Sequence, residues 1–341
     1  MKIAFFDAKQ YDIDSFEEVK GDVKIKYFET KLNEDTVSLA RGYDAVCVFV
    51  NDIVSKEVIE KLNEFGVHNL ALRCAGYNNV DVSAAHGKVH ITHVPAYSPY
   101  AVAEHAMALL LTIVRRTHKA YIRTKDFNFS LNGLTGFDLY GKTVGIIGTG
   151  KIGRVFIDIC RGFGMNVIAY DKYPMADSDI NYVSLEEIYE KSDIISLHCP
   201  LTNETNGMIN ADTIKKMKKG VILINTSRGP LIESEALLQA IKERHIGAAC
   251  LDVYDEESNI FFRDFSNHII SDDILARLIS MPNVLVTSHQ GFLTQEALDN
   301  IAQTTMNNLL EIQKEGKCEN ELCYHCGKIE VCRKERCRKC F

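Results

Sequence analysis

Three ionisable side chains, Arg228, Glu257 and His289, each follow shortly after an apolar segment of the kind that forms a buried strand. The guanidinium of an arginine can fix a substrate carboxylate and polarise its carbonyl group. A histidine can deliver a proton to the carbonyl oxygen, and a neighbouring carboxylate favours the protonated imidazole and orients it. These side chains can therefore serve the reduction of a 2-keto acid by a hydride. The alternative is a set of ordinary loop residues, since Glu257 follows two further acids, Asp255 and Glu256.

A glycine-rich loop lies between an apolar segment and a helical pattern, and it predicts a dinucleotide site. Residues 148–153 read Gly-Thr-Gly-Lys-Ile-Gly and follow directly on residues 143–147. Gly148 allows the tight turn, Gly150 lets the backbone approach the pyrophosphate, and Gly153 lets helix and strand pack closely. The helix N-terminus then presents N–H groups and a partial positive charge to the phosphates.

An acidic residue stands where such a site binds the ribose. Asp171 ends the next apolar segment, roughly 20 residues beyond the glycine loop, which is the expected spacing. A carboxylate there accepts hydrogen bonds from the ribose diol and repels a 2′-phosphate, so the pattern predicts NAD rather than NADP. The alternative interpretation is a set of structural glycines and a solvated aspartate.

Apolar segments alternate with helical patterns along the whole chain, which predicts parallel sheets covered on both faces. Strands are expected at residues 2–6, 24–28, 45–50, 70–73 and 89–94, and then at 143–147, 166–170, 194–197, 221–225, 248–252 and 284–287. Helices are expected at 55–65, 101–124, 184–190, 234–244 and 294–314, the third opened by a capping box of Ser184 and Glu187. The six later strands are the count of a complete doubly wound dinucleotide fold.

The two long helical segments flank the second series of strands, as expected if the chain leaves one α/β unit, builds another and returns. We therefore predict an α/β fold with two doubly wound parallel-sheet domains and a cleft between them. Residues 1–100 and 298–322 would form a flavodoxin-like, discontinuous substrate domain, residues 101–297 a Rossmann NAD-binding domain, and residues 323–341 a tail. The alternative is two domains in series, with a boundary near residue 130.

The composition excludes several classes of protein. The chain has 341 residues, of which 46% are hydrophobic and 25% charged, so a buried core is expected and wholesale disorder is not. A net charge of −7 argues against a nucleic-acid or anionic-membrane partner. The N-terminus lacks a signal-peptide pattern, and the longest apolar stretch, 106–114, is far shorter than the roughly 20 residues that span a bilayer. We expect a soluble, cytoplasmic protein.

Several longer motifs, in the same order along the chain, resemble the D-2-hydroxyacid dehydrogenase family. The resemblance covers nearly everything from Met1 to about Leu322. Its markers are Ala-Leu-Arg-Cys-Ala-Gly-Tyr-Asn-Asn-Val-Asp at 71–81, Val-Pro-Ala-Tyr-Ser-Pro at 94–99, Ala-Glu-His-Ala at 103–106, Ile-Asn-Thr-Ser-Arg-Gly-Pro at 224–230 and Leu-Asp-Val-Tyr at 251–254.

The resemblance implies roles for individual residues. Arg228 would bind substrate, and His289 would be the acid/base with Glu257 as its partner, because the family's glutamate lies five residues beyond the aspartate of the Asp-Val-Tyr segment. The implied cofactor contacts are Gly148, Gly150, Lys151, Ile152, Gly153, Asp171, Cys199, Pro200, Thr205, Thr226, Ser227 and Asp252. The turn formed by Gly76, Tyr77 and Asn78 would bind the substrate carboxylate through its backbone. Tyr97, residues 49–52 and Phe292 would line the substrate pocket.

The resemblance further implies reversible reduction of pyruvate to D-lactate by NADH, in a homo-oligomer. Bulkier substrates such as 2-ketoisocaproate or phenylpyruvate remain open, and so does a non-catalytic protein that senses NAD. We expect no catalytic metal.

The cysteines fall into two groups. Five of the eleven, Cys47, Cys74, Cys160, Cys199 and Cys250, lie mostly in apolar runs and are expected to be small buried residues. The other six lie between residues 318 and 340, beyond most of the resemblance. Two C-x-x-C pairs in this tail, at 323/326 and 337/340, fit a small zinc knuckle, and the alternative is a flexible, thiol-rich extension.

Overall fold

The computed structural model describes residues 1–257, 260–322 and 324. The described residues divide into two compact units, one formed by Met1–Ser98 together with those from Leu293 to Tyr324, the other by those from Pro99 to Phe292. The sequence predicts these boundaries at 100/101 and 297/298, and the functional labels of the two domains stay predictions.

The first unit is built on a five-stranded parallel sheet with the strand order β2-β1-β3-β4-β5, the flavodoxin-like order that was predicted. Its strands are β1 (Lys2–Phe5), β2 (Lys24–Tyr27), β3 (Ala45–Val48), β4 (Asn69–Leu72) and β5 (His90–Thr92). Its helices are α1 (Gln10–Val19), α2 (Lys56–Glu64), α3 (Val82–Ala85) and α11 (Gln295–Glu315), with a 3₁₀ helix at Val37–Ala40.

Helix α11 returns to this first unit from the far end of the chain and packs against α1 and the sheet. Thr294 caps its N-terminus by accepting a hydrogen bond from the Ala297 N–H, and Gly316 ends it in the left-handed conformation. Met306 and Leu309 of α11 pack in one apolar cluster with Phe5 of β1. The return of the chain that the sequence predicted is therefore built into the core of this unit.

The second unit contains a six-stranded parallel sheet with the order β11-β10-β9-β8-β6-β7. Its strands are β6 (Thr143–Ile147), β7 (Asn166–Tyr170), β8 (Ile194–Leu197), β9 (Val221–Asn225), β10 (Ile246–Leu251) and β11 (Val284–Val286). Its helices are α4 (Pro99–Arg115), α5 (Thr117–Lys125), α6 (Lys151–Gly162), α7 (Leu185–Lys191), α8 (Ala211–Lys215), α9 (Ser234–Lys242) and α10 (Asp273–Ile279), with a 3₁₀ helix at Gly229–Leu231.

A single parallel bridge between Ala169 and Tyr182 extends this sheet beyond β7. If the residue at 182 is counted as a strand and the strands of this unit are renumbered from 1 in chain order, the sheet order is 3-2-1-4-5-6-7. The first six of these strands have the Rossmann order. The sequence does not predict this strand, because one bridged residue leaves no alternating pattern.

Two further sequence predictions meet different outcomes. The single helix expected at 101–124 is wrong, because Arg116 adopts a left-handed conformation with φ of 53° and separates α4 from α5. The capping box is confirmed: Ser184 accepts from the Glu187 N–H, and the Glu187 carboxylate accepts from the Ser184 N–H.

The five cysteines predicted to be buried are buried free thiols. Within the residues that the structure describes, no helix is both long and apolar enough to cross a bilayer.

Candidate active site

The glycine loop follows the carboxyl end of β6, beside the point where the strand order reverses. Gly148 has a φ of 97°, and a Cβ there would lie 2.6 Å from the Cys199 nitrogen. A Cβ on Gly153 would lie 2.1 Å from the Gly148 carbonyl oxygen, whereas one on Gly150 would meet nothing within 4 Å. Two glycines are thus required by close packing, and the third leaves open space at the start of α6.

Asp171, at the end of β7, is tied to this loop. Its Oδ2 accepts hydrogen bonds from the Thr149 N–H, at 2.6 Å, and from the Thr149 hydroxyl, at 3.0 Å. Its Oδ1 accepts from the Tyr173 N–H at 2.8 Å. The carboxylate therefore fixes the loop and keeps lone pairs that a ribose diol can use.

The open space at Gly150 and the N-terminus of α6 fit a dinucleotide, since the first N–H groups of a helix have no acceptor within it. Lys151 and Ile152 open this helix. Thr226, after β9, adds a polar group that a ligand can use, because its buried hydroxyl has no hydrogen-bond partner within the described residues. These features leave space and polar groups of the kind that phosphates and a ribose need.

The remaining cofactor candidates lie on neighbouring loops of the same unit. The Ser227 hydroxyl donates to the Cys199 carbonyl at 2.6 Å, and the Thr205 hydroxyl donates to the Pro200 carbonyl at 2.7 Å. Burial raises the pKa of the Cys199 thiol to about 11, so this side chain is neutral at physiological pH. The loops after β8 and β9 are therefore linked to each other at the carboxyl edge of the sheet.

Arg228, Glu257 and His289 follow β9, β10 and β11, three strands that are neighbours in the sheet. The Asn225 side chain donates to the Arg228 carbonyl at 2.9 Å and fixes the backbone there. A Cβ on Gly229 would lie 2.1 Å from the Tyr254 carbonyl, so the Arg228 loop lies directly against the loop that leads to Glu257.

His289 and Glu257 form a pair. Nδ1 of His289 lies 2.7 Å from Oε1 of Glu257, and each side chain is 17% exposed. The second carboxylate oxygen of Glu257 accepts from the Tyr254 N–H at 3.0 Å. His289 has a φ of 53°, and its N–H donates to the Asp252 carbonyl at 2.7 Å. Hydrogen bonds therefore fix both side chains, and Nε2 is the imidazole nitrogen that does not contact Glu257.

The Asp252 carboxylate accepts hydrogen bonds from the loop that carries His289. The family resemblance implies that Asp252 contacts the cofactor. Oδ1 accepts from the Thr287 hydroxyl at 2.5 Å and from the Gln290 N–H at 2.9 Å, and Oδ2 accepts from the Gly291 N–H at 2.8 Å. Nε2 of His105, on α4, lies 3.2 Å from Oδ1. Burial raises the pKa of Asp252, but hydrogen bonds from His105 and Thr287 outweigh burial, and the pKa lies below its ordinary value.

Sequence reasoning did not assign roles to His105, Asn225, Gly229 or Thr287. His105 and Asn225 lie within family motifs, but neither residue type by itself indicates which loop it supports. The structure assigns them to the support of Arg228 and His289 because it gives their partners directly.

The substrate candidates Gly76, Tyr77, Asn78 and Tyr97 belong to the first unit. The turn at 76–78 follows β4, and the N–H groups of Gly76 and Asn78 donate to no group in the described part of the chain. The Tyr97 carbonyl accepts from the Asn300 side chain of α11 at 3.0 Å. The turn therefore presents two N–H groups of the kind that bind a carboxylate.

The expectation that residues 49–52 line a pocket is wrong for Asp52. Its side chain is completely buried, and its carboxylate accepts from the N–H groups of Leu32 and Phe49. Phe49 and Phe292 are each only 7% exposed. Asp52 therefore belongs to the interior of the first unit.

The cysteine tail falls mostly outside the described residues, and so do both C-x-x-C pairs and the zinc knuckle inferred from them. Tyr324 is described, and its hydroxyl accepts from the Ile91 N–H at 3.0 Å. Across the described ranges, no group of three His, Cys, Asp or Glu side chains is arranged to hold a metal ion.

Comparisons with known proteins agree with this geometry. Residues 107–291 match the family model described as D-isomer specific 2-hydroxyacid dehydrogenase, NAD binding domain. The chain is 50% identical to a 2-hydroxyacid dehydrogenase homolog of Haemophilus influenzae, with 94% of this chain and 98% of that one covered. It is 48% identical to the D-lactate dehydrogenase of Escherichia coli, with 94% and 100% covered. The solved apo-structure of D-lactate dehydrogenase from Escherichia coli superposes with a TM-score of 0.86 at 47% identity, covering 94% of this chain and 100% of that one.

Proposed function

This chain belongs to the D-isomer-specific 2-hydroxyacid dehydrogenase family, and on that premise we propose that it is an NAD-dependent D-lactate dehydrogenase, which reduces pyruvate reversibly. The observation that carries the proposal is the pairing of His289 with Glu257, beside the Arg228 loop. When bound, NADH supplies the hydride that the carbonyl carbon accepts.

In the proposed reaction, His289 supplies the proton. The Glu257 carboxylate accepts a hydrogen bond from Nδ1, so Nε2 is the nitrogen that delivers a proton to the carbonyl oxygen. The negative charge of Glu257 stabilises the imidazolium before the transfer. The carbonyl carbon gains a hydride and the oxygen gains a proton, which gives D-lactate; the reverse reaction returns the proton to Nε2.

We assign the binding of the substrate to two kinds of donor. The Arg228 guanidinium would fix the carboxylate and polarise the carbonyl, because its planar fork matches two oxygens. The N–H groups of Gly76 and Asn78 would bind the carboxylate through the backbone, as in other anion-binding turns. Neither kind of donor depends on the side chain of the keto acid.

The rival within the family is a dehydrogenase for bulkier 2-keto acids. Phe49 and Phe292 are almost completely buried, so the size of the substrate side chain does not follow from these two aromatic residues. We favour pyruvate on the resemblance and on the relatives compared above.

The test is a panel of 2-keto acids, with NADH oxidation followed by absorbance and the product analysed on a chiral column. We expect pyruvate to give the highest kcat/KM and the product to be D-lactate. A higher kcat/KM for 2-ketoisocaproate or phenylpyruvate supports the rival dehydrogenase. Tight NADH binding without oxidation by any keto acid supports the NAD-sensing alternative and contradicts the proposal.

We also propose that the protein is a homo-oligomer. An extended segment at 127–140 exposes Phe127, Phe129, Leu131 and Tyr140, each more than two-thirds exposed. The segment is nevertheless held in place, because Arg116 and Arg123 of the preceding helical region donate to the carbonyls of Gly133 and Asn132. A large, ordered apolar surface of this kind is typical of an interface, and a second copy of the chain is its simplest partner.

Finally, we propose a cytoplasmic location. The described cysteines Cys47, Cys74, Cys160, Cys199, Cys250 and Cys318 are free thiols, which a reducing compartment maintains.

A further inference from the structure

A buried ionic cluster lies at the carboxyl ends of β1, β3 and β4, and none of its members has a role in the proposed reaction. Arg73 is 1% exposed. Its Nε donates to Oδ1 of Asp12 at 3.1 Å, and its Nη2 donates to the Asp7 carbonyl at 2.8 Å. Asp7, Asp12 and Asp52 are all buried as well. We call Arg73, Asp7, Asp12 and Asp52 the Arg73 cluster.

Arg73 contacts the end of β3 as well as the loop after β1. Its guanidinium contacts two aromatic rings, at 4.4 Å from the centroid of Phe5 and 4.7 Å from that of Phe49. Its own N–H donates to the Val48 carbonyl at 3.0 Å. The arginine therefore fixes the position at which the chain leaves β3 and enters residues 49–52.

Asp52 closes the loop that starts at Phe49. Oδ1 accepts from the Leu32 N–H at 2.6 Å and Oδ2 from the Phe49 N–H at 2.5 Å. A carboxylate can accept at both oxygens, whereas an asparagine would set an NH₂ group against one of these N–H donors. The loop at 49–52 thus requires an acidic side chain at its last position.

The loop at 49–52 in turn supports the turn at 76–78. The side chain of Asn79, next to the turn, donates to the carbonyls of Phe49 at 2.8 Å and Asp52 at 2.9 Å. The Val54 N–H donates to the Asn79 carbonyl at 3.0 Å. A continuous set of contacts therefore leads from the buried guanidinium through residues 49–52 to the turn that carries the free N–H groups of Gly76 and Asn78.

A cluster of this kind is poorly explained by stability. Buried ion pairs lose about as much hydration energy as they gain in attraction, so apolar residues of similar volume would serve a core equally well. What ions and their directed hydrogen bonds provide is one backbone geometry, and this cluster lies directly under a turn whose geometry matters for binding.

We propose that Arg73, Asp12 and Asp52 are positioning residues, which hold the N–H groups of Gly76 and Asn78 where they bind the carboxylate of the 2-keto acid. This inference rests on the proposed function, because it takes the turn at 76–78 as the carboxylate site.

The charges around Asp52 give the proposal a pH signature. Burial raises the pKa of Asp52 to about 7, against the opposing effects of the Arg73 charge and the two N–H donors. Asp7 is the other charged group that acts on Asp52, and its negative charge also raises this pKa. The neighbouring Cys47 is a neutral thiol, because burial raises its pKa to about 12. When Asp52 is protonated, one of its oxygens carries a hydrogen and the loop loses an acceptor. Substrate affinity should therefore weaken as the pH falls below about 7.

The test compares Asp52→Asn with a control that damages the same unit elsewhere. Leu62→Ala removes a fully buried side chain from α2. None of the hydrogen bonds described above for the Arg73 cluster and the turn involves this helix. Each variant is assayed for kcat and KM with pyruvate and for NADH binding by fluorescence. Oxamate, a pyruvate isostere that is not reduced, is titrated into the NADH-loaded protein by calorimetry, so that binding is measured without turnover.

We expect Asp52→Asn to raise KM for pyruvate and Kd for oxamate about tenfold, with kcat and NADH affinity changed by less than about threefold. The pH dependence of oxamate binding between pH 6 and 8 should flatten in this variant. Leu62→Ala should lower the unfolding temperature yet leave oxamate binding within about twofold of the parent. Arg73→Lys is the second variant, to be used if Asp52→Asn fails to fold. It keeps the charge but loses the planar contacts, so we expect the Kd for oxamate to rise, but by less than about tenfold.

Equal losses of oxamate affinity in Leu62→Ala and in the cluster variants would overturn the proposal, and so would unchanged oxamate binding in Asp52→Asn. Failure of the proposed function is separately visible, because the parent protein would then neither reduce pyruvate nor bind oxamate.

Discussion

At the scale of single residues, His289 is held in a backbone conformation that costs free energy. Its φ of 53° lies in the left-handed region, which costs a residue with a side chain about 1–2 kcal/mol. The Asp252 carbonyl and carboxylate hold this turn by accepting hydrogen bonds from the backbone of residues 289–291. Such strain, maintained by a buried partner, is typical of a position where the orientation of a side chain matters.

The partnership of Glu257 with His289 predicts a difference between two adjacent acids. Glu257→Gln removes the charge that stabilises the imidazolium, and we expect kcat/KM for pyruvate to fall about 100-fold while NADH affinity stays the same. Glu256→Gln is the control, because Glu256 is exposed. Steady-state kinetics and NADH fluorescence measure both effects. Equal losses in the two variants would show that general surface charge, rather than the pair, supports catalysis.

The glycine loop allows cofactor binding to be separated from folding. A Cβ at Gly150 meets nothing within 4 Å, so Gly150→Ala should fold with an unchanged unfolding temperature. The added methyl group would occupy the space assigned to the pyrophosphate, and we expect NADH Kd to rise at least about tenfold. Gly162→Ala, also in open space on α6, is the matched control and should leave NADH Kd unchanged. Unchanged NADH affinity in Gly150→Ala would contradict the assignment of this loop.

At the scale of elements, the sequence predicts buried strands well and local exceptions poorly. The strands at 143–147, 166–170, 194–197 and 221–225 were predicted with the bounds that the structure has, because each is a continuous apolar run between polar segments. The break at Arg116 has no sequence signal, since the residue is neither glycine nor proline.

In the candidate site too, some features can be predicted from the sequence and others cannot. Arg228, Glu257 and His289 stand out in the sequence because polar residues after buried strands are conspicuous, and the structure places them after neighbouring strands; their roles stay predictions. Asp52 was misplaced because a carboxylate that accepts buried N–H groups has the same local pattern as one that faces a pocket. Which N–H groups are left without acceptors follows only from tertiary contacts, so the supporting residues could not be predicted.

The C-terminal tail offers a test at the level of one segment. The structure ties the start of the tail to the first unit through Tyr324, which is 4% exposed. Deleting residues 325–341 should therefore leave the unfolding temperature and kcat/KM unchanged, whereas a deletion that begins at 323 and includes Tyr324 should lower the unfolding temperature by roughly 5 °C. If both truncations are equally stable, Tyr324 does not anchor the tail.

The zinc knuckle is tested by measuring the zinc content of the full chain, purified without chelator. The absence of stoichiometric zinc would contradict the zinc knuckle.

At the scale of the whole molecule, each of the two units carries its own part of the candidate chemistry. The first has the turn at 76–78 and the Arg73 cluster that supports it, and the second has the glycine loop with Arg228, Glu257 and His289. Both sheets could be predicted because alternating strands and helices are a local pattern.

Association of whole chains is predicted to depend on the segment at 127–140. Phe129 and Leu131 are 71% and 79% exposed, so replacing both by serine removes apolar surface without opening a cavity. We expect the double variant to be smaller than the parent in size-exclusion chromatography with light scattering, with its secondary structure retained. Ile269→Ser, which changes a residue that is 94% exposed elsewhere in the second unit, is the control. An unchanged mass for the double variant would place the interface elsewhere.

The proposed role of His289 as the acid/base can be tested by a single substitution with two readouts. His289→Asn is chosen because asparagine tolerates the left-handed backbone but cannot transfer a proton. We expect kcat for pyruvate reduction to fall by at least about 1,000-fold while NADH binds with unchanged affinity. Substantial turnover in this variant, or loss of NADH binding with the fold intact, would contradict it.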